Sequence, residues 1–300
     1  MRVLIFGISG QDGIILANLL TKKKIDFLGV VRSKDIPKRL INFSKKIVFC
    51  NFLNENSIFE IIRDSRPSHV VNLIGQSSVG KSFEFVEETY KANFEIANWI
   101  GRSILKLKNI YFLNASSAYI FDCSKPISYY SPIKAISPYA KSKAAAYKEL
   151  SSLFKEENYF ISMHFFNHLS KYSDQRFVIP KIIDYFQNSK NCKLNLASIT
   201  KIRNWGISED YMNIVINIIL KKRIDLKKDY FIGSNFESSI ENILEEIAKL
   251  FKKDYILEIE DGRNRPHDPD KVSLSKDIFH SQGINLPSYT TREFAKKLIF

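Results

Sequence analysis

Residues 2–13 read Arg2-Val3-Leu4-Ile5-Phe6-Gly7-Ile8-Ser9-Gly10-Gln11-Asp12-Gly13, and the rest of the chain is best read outward from them. A short apolar run meets three glycines. From Asp12 to Lys23, Ile15, Leu16, Leu19 and Leu20 then recur at helical spacing. Strand, glycine turn and helix in that order open a dinucleotide-binding βαβ unit. The glycines let the backbone turn tightly and approach a pyrophosphate, and the helix N-terminus offers its free amides to the negative charge. The spacing is GxxGxxG rather than GxGxxG. Its position directly after the first strand is what favours dinucleotide binding over an ordinary strand–helix turn.

Downstream, strand and helix signals alternate. Strands are expected at 27–31, 46–50, 69–73, 110–113 and 160–166, and helices at 57–64, 84–105 and 137–155. This order predicts an α/β fold of Rossmann type, a doubly wound parallel sheet with helices on both faces. After Asn167 the pattern changes. A helix within 174–186, a strand from Cys192 to Leu196 and a helix over 208–220 capped by Ser208 are expected. They are followed by a strand at 230–233, a helix at 238–251 and a strand at 255–259. A polar loop covers 261–270, and a last helix over 290–298 opens with Thr290 and Glu293 spaced as a capping box. Residues 1–166 are thus expected to form the cofactor-binding domain with the catalytic residues. Residues 167–300 should form a smaller α/β lobe, mainly for substrate, that returns one strand to the sheet. Ligands should meet at the C-terminal ends of the parallel strands.

Composition narrows the alternatives. With 300 residues, 45% hydrophobic and 26% charged, the chain suits one large domain or two joined ones. No apolar run approaches the roughly 18 residues of a membrane span, and the apolar start is short for a signal peptide. Three scattered cysteines, Cys50, Cys123 and Cys192, form no CxxC, so a reducing cytoplasm is expected. Five scattered histidines show no HExxH, and no metal site is expected. The net charge of +13 resides partly in lysine runs at 22–24, 221–223 and 252–253, near the ends of apolar periodic segments. Cations suit helix C-termini there, so neither nucleic acid nor membrane is an expected partner.

Two further features carry chemistry. Strand two ends in Val31-Arg32-Ser33-Lys34, with cations where an NAD site usually places a carboxylate. Arg32 therefore favours NADP, with NAD as the alternative. Tyr139 and Lys143 lie four apart on a helix and share a face. An ammonium beside a phenol lowers the phenol's pKa and makes it a proton donor or acceptor. Asn114-Ala115-Ser116-Ser117 follows strand five, where small hydroxyl residues would face a nicotinamide.

Together these features resemble the extended short-chain dehydrogenase/reductase family. Within it, the chain is more similar to the GDP-mannose 4,6-dehydratase branch than to the UDP- or dTDP-sugar branches. The resemblance rests on GISGQDG at 7–13, NLIGQSSVGKSFE at 72–84, NASSAY at 114–119 and SPYAKSK at 137–143. It continues through FFNHLS at 165–170, RFVIPKI at 176–182, RNWGISEDY at 203–211 and RNRP at 263–266. It implies a diphosphate loop of Gly7, Gly10, Gln11, Asp12 and Gly13, with Asn51 and Phe52 at the adenine. Leu73, Gly75 and Ser77 would lie under the nicotinamide half, and His168 would contact the cofactor. Ser117, Tyr139 and Lys143 would be catalytic, the latter two also touching cofactor. Ser78, Asn167, Arg203 and Arg265 would bind substrate, the two arginines at its diphosphate.

The chain departs from that pattern in ways that bear on the reaction. The family's dehydratases carry Ser/Thr, one small residue, then a glutamate that serves as acid/base for eliminating water across C5 and C6. Here the run is Ser117-Ala118-Tyr119. A phenol with an ordinary pKa near ~10 replaces a carboxyl near ~4.3. Hydride transfer at C4 of a GDP-linked hexose needs only Ser117, Tyr139 and Lys143. The resemblance therefore implies a 4-keto sugar reductase or epimerase, with GDP-mannose 4,6-dehydratase as the alternative. An inactive nucleotide-sugar-binding paralogue is the non-enzymatic alternative. The segment after Arg32 is shorter than the family's basic loop, so a homodimer is expected rather than a tetramer; separately, Lys171–Ser173 stand where the family has arginines.

Overall fold

The computed structural model describes residues 1–52, 54–157, 159–189, 193–221, 226–260 and 268–299. Cys192, Arg265, the RNRP segment, most of the expected 261–270 loop and the cations Lys222 and Arg223 lie outside them.

In chain order the elements are β1 (Arg2–Phe6), α1 (Gln11–Lys22), β2 (Asp26–Val31), β3 (Ile47–Phe49), α2 (Glu55–Ser65), β4 (His69–Asn72), α3 (Val86–Tyr90) and α4 (Ile96–Leu107). There follow β5 (Tyr111–Ser117), α5 (Pro138–Leu153), β6 (Phe160–Phe165), β7 (Asn167–Leu169), α6 (Val178–Asn188), β8 (Lys193–Leu196), β9 (Ile202–Ile207) and α7 (Ser208–Leu220). The chain closes with β10 (Asp229–Ile232), β11 (Glu237–Ser239), α8 (Ile240–Phe251), β12 (Ile256–Ile259), β13 (Lys271–Val272), α9 (Asp277–Ser281) and α10 (Thr291–Ile299).

Seven strands form one parallel sheet in the order β10-β6-β5-β4-β1-β2-β3. The alternation along β1 shows why both faces are covered. Val3 and Ile5 pack on one side with Ile15 and Leu19 of α1 and Met212 and Ile216 of α7. Leu4 and Phe6 pack on the other with Ile58 of α2, Ile100 of α4 and Leu150 of α5. The strand that the second half sends back is β10, which pairs with β6.

Three local expectations need correction. β5 runs on to Ser117, beyond the apolar run, because β6 pairs with Asn114 through Ser117 in register. The long helix expected from Glu84 is α3, one π-helical turn over Lys91–Glu95, and then α4. Ser208 does not cap α7. It is the helix's first residue, β9 runs directly into it, and its buried hydroxyl has no hydrogen-bond partner. Glu209 and Asp210 supply the first-turn charge instead. The capping box of α10 does form: the Thr290 amide donates to Glu293 Oε2 (2.8 Å) and the Glu293 amide to Thr290 Oγ1 (3.3 Å).

Beyond the main sheet, β9 pairs antiparallel with β11 and parallel with β13 and β7. Strands of two or three residues carry no readable alternation, so these were invisible to periodicity. Among the described residues no helix is long and apolar enough to cross a membrane.

Candidate active site

The glycine loop fits a diphosphate. Gly7 has φ +87°, and a Cβ there would lie 2.9 Å from the backbone of Leu73 and Ile74. A Cβ on Gly13 would fall 2.3 Å from the Gly7 carbonyl oxygen, so α1 can start this close only with glycine. The helix N-terminus at Gly10 has no side-chain cap, and a Cβ on Gly10 would meet only the Gly7 oxygen, at 3.4 Å. The first-turn amides are thus left for a ligand. Arg32 follows β2 directly and is exposed, and Asn51 follows β3 and is exposed. Phe52, expected at the adenine, turns its side chain inward. It has φ +52° and its ring is buried 6.1 Å from that of Phe6, so its side chain belongs to the core.

The catalytic candidates converge at the ends of β4 and β5. Ser137 caps α5 by accepting from the Ala140 amide (3.1 Å), with Pro138 in the first turn. This orients Tyr139 and Lys143. Lys143 is buried and donates to the Ala115 carbonyl (2.8 Å), and burial brings its pKa down to about 8. The expected lowering of the Tyr139 phenol is not what the chain provides. Burial pushes it up to about 12, opposed by hydrogen bonding to Ser117 and reinforced by the nearby Tyr119 phenol. Desolvation is the dominant cause. Leu73 lies against Gly7, and a Cβ on Gly75, two residues on, would lie 3.0 Å from Lys143 Nζ. Ser77 is exposed and Ser78 half-buried in the same loop.

Asn93 holds this arrangement and escaped the sequence reading. From the π-helical turn its Oδ1 accepts from the Gln76 amide (2.9 Å). Its Nδ2 donates to the Gln76 carbonyl (3.2 Å) and to Ser142 Oγ (3.0 Å), and Ser142 donates to the Tyr139 carbonyl (2.8 Å). A polar residue on an otherwise buried helix face was the available signal.

A cavity of about 410 Å³ opens beside Tyr119, lined also by Val79, Cys123, Lys134, Ile136 and Asp268. Arg203 of β9 is buried against it. Its Nε donates to the Tyr119 hydroxyl oxygen (2.9 Å), its Nη2 pairs with Asp268 Oδ2 (2.9 Å), and its Nη1 donates to the Ile202 carbonyl (2.8 Å). The fold therefore brings Arg203 to Tyr119. Asp268, in the stretch expected as a polar loop, lines the cavity, and among the described residues its Oδ1 is buried without a hydrogen-bond partner. The same holds for Oδ1 of half-buried Asn167.

Gln11 and Asp12 open α1, and their side chains turn toward β7 and the residues after it rather than the glycine turn. Gln11 Oε1 accepts from Ser173 (2.7 Å) and Ser170 (3.3 Å). His168 Nε2 lies 2.9 Å from Asp12 Oδ2 and Nδ1 lies 2.8 Å from the Phe166 carbonyl oxygen. Burial alone would lower the imidazole's pKa, but the Asp12 charge and these two hydrogen bonds outweigh it and raise it.

A family model described as GDP-mannose 4,6 dehydratase matches residues 4–285. GDP-mannose 4,6 dehydratase 2 of Arabidopsis thaliana is 27% identical over 306 residues, covering 90% of this chain and 78% of that protein. GDP-mannose 4,6-dehydratase of Vibrio cholerae serotype O1 is 25% identical over 272 residues, covering 82% and 70%. Among solved structures, UDP-glucose 4-epimerase of Thermus thermophilus in complex with NAD superimposes with a TM-score of 0.84 at 18% identity, covering 100% of this chain and 98% of that one. RMD of Pseudomonas aeruginosa complexed with NADPH gives 0.80 at 18%, covering 99% and 96%. At those identities the structural likeness speaks to the fold.

Proposed function

The chain belongs to the GDP-mannose 4,6 dehydratase family, and from that premise we propose that it is a nucleotide-sugar-modifying enzyme acting at C4 of a GDP-linked hexose. The observation that carries the reading is the convergence of Ser117, Tyr139 and Lys143 at the ends of β4 and β5. Residues 1–166 would hold the cofactor, and residues 167–300 mainly the substrate. NADP is preferred to NAD because Arg32 stands where a ribose phosphate would need a cation. The active species is a homodimer.

A nicotinamide dinucleotide, when bound, exchanges hydride with C4. The chain handles the proton. Tyr139, with its pKa near 12, is a protonated phenol at neutral pH. It donates to the C4 oxygen of a 4-keto sugar and recovers a proton in the reverse direction. Ser117 shares that oxygen and positions the phenol. Lys143, charged below about pH 8, grips the cofactor ribose and keeps a positive charge in the site. Arg203 offers its guanidinium to the substrate diphosphate.

Net reduction or epimerisation of a 4-keto sugar is favoured over dehydration. Eliminating water needs a placed acid/base at C5 and C6, worth ~10²–10⁴-fold. Tyr119 occupies that position, and its hydroxyl oxygen is engaged by Arg203. One observation favours the dehydratase reading: the Asp268 carboxylate lines the same cavity as Tyr119 and has an unpartnered oxygen.

The test is product analysis by NMR. Stoichiometric NADPH oxidation with a GDP-4-keto-6-deoxyhexose supports a reductase. Inversion at C4 of a GDP-hexose without net NADPH loss supports an epimerase. Rapid conversion of GDP-mannose to the 4-keto-6-deoxy product without net cofactor loss would replace both with dehydratase.

A further inference from the structure

We propose that His168 acts on the cofactor site through Asp12, cancelling the negative charge that Asp12 places in the first turn of α1 and pinning that turn to β7. This rests on the reading that the glycine loop binds a nicotinamide dinucleotide. His168 is then a positioning residue, distinct in role from a group that touches the cofactor.

The geometry supports this in three ways. First, both ring nitrogens of His168 face acceptors, Asp12 Oδ2 at 2.9 Å and the Phe166 carbonyl at 2.8 Å. Two acceptors require two N–H groups, which is the imidazolium. Second, the ring cannot turn away. It lies 5.3 Å from the Phe165 ring and 5.1 Å from that of Tyr211. Tyr211 is itself wholly buried, in space that Gly206 leaves open: a Cβ on Gly206 would lie 2.4 Å from its hydroxyl. Third, Asp12 is the acidic residue in the uncapped first turn of α1. A carboxylate there suits the helix dipole but repels the anion that the same amides would bind. An imidazolium 2.9 Å away removes that conflict.

The pin also has reach. Gln11 adds two hydrogen bonds to Ser170 and Ser173. His168 pairs in register with Gly206 of β9, the strand that carries Arg203. The cofactor loop and the substrate-side strand are thus fastened through β7.

The titratable groups facing His168 among the described residues are Asp12 from α1 and the Tyr211 phenol from α7, whose pKa is driven well above its ordinary value by burial. Only His168 changes charge near neutrality. Its folded pKa lies above the ordinary 6.5. As pH rises through that value the imidazolium is lost, Asp12 is unmasked, and dinucleotide affinity falls.

The experiment is a titration of NADPH and NADH, followed by fluorescence from pH 7 to 9 at fixed salt. It compares wild type, Asp12→Asn, His168→Gln and the double variant, each checked by thermal melt. Wild-type affinity should fall with pH. His168→Gln should bind about tenfold more weakly at pH 7, from one unmasked charge at short range, and should keep only the smaller pH dependence that Lys143 contributes. Asp12→Asn has no carboxylate to unmask, so its affinity should likewise show only that smaller pH dependence. The decisive result is rescue: Asp12→Asn placed in the His168→Gln background should restore most of the affinity. A double variant as weak as His168→Gln, with both folded, overturns the proposal and makes the histidine a direct contact or a packing element. Unchanged affinity in His168→Gln overturns it too. No binding to wild type would instead remove the cofactor reading on which it stands.

Discussion

Tyr139 keeps its proton across the physiological range because burial outweighs its hydrogen bond to Ser117. It is set up to donate, and the group beside it that changes charge near neutrality is Lys143, with its pKa near 8. Turnover of a 4-keto sugar should therefore be level below that pH and decline above it as the ammonium is lost. Lys143→Met should remove the decline along with most of the activity, as read from a pH–rate profile. Tyr139→Phe should lower turnover by ~10²–10⁴-fold while leaving cofactor affinity nearly unchanged. Tyr119→Glu tests the proposed reaction most directly. It should raise conversion of GDP-mannose to a 4-keto-6-deoxy product, measured by NMR; no gain would show that Tyr119 is not what limits dehydration. Which residue types stand at 117, 119, 139 and 143 was legible in the sequence. The protonation state of Tyr139 was not, because it depends on how much solvent the fold excludes and on its contacts with Ser117 and Tyr119.

At the scale of elements, the strands and helices of the first half follow their apolar spacing, and the departures mark positions where long-range partners act. The π-helical turn at Lys91–Glu95 interrupts an otherwise helical pattern where Asn93 faces the Gln76 backbone and Ser142. Asn93→Ala would leave the Gln76 amide and carbonyl without their partner. It should cost about 1–3 kcal/mol in denaturant unfolding and loosen the loop holding Gly75 against Lys143. A loss of stability with unchanged cofactor affinity would limit Asn93 to a structural role. Gly13→Ala should abolish dinucleotide binding, since its Cβ would sit 2.3 Å from the Gly7 carbonyl oxygen and force the loop from α1.

For the whole molecule, the second half of the chain completes the first. Residues of α7 and β10 belong to the same core as β1 and α1, with Met212, Ile216 and Tyr230 packed among Ile15, Leu16 and Leu19. Residues 1–166 alone would expose that face of α1 and the edge of β6. They are expected to lack a cooperative thermal transition in calorimetry, whereas the full chain should show one. The alternating pattern and the glycine motif determined by themselves the parallel sheet, the cofactor end and the residue types in the YxxxK pair, because those signals are local. Only the tertiary structure decided that His168 meets Asp12 across 156 residues and that Arg203 meets Tyr119 across 84. Such contacts depend on strand order and on β7–β9 pairing, and neither leaves a trace in periodicity. Charge and protonation at the site follow from those contacts, so they too were settled by how the chain packs.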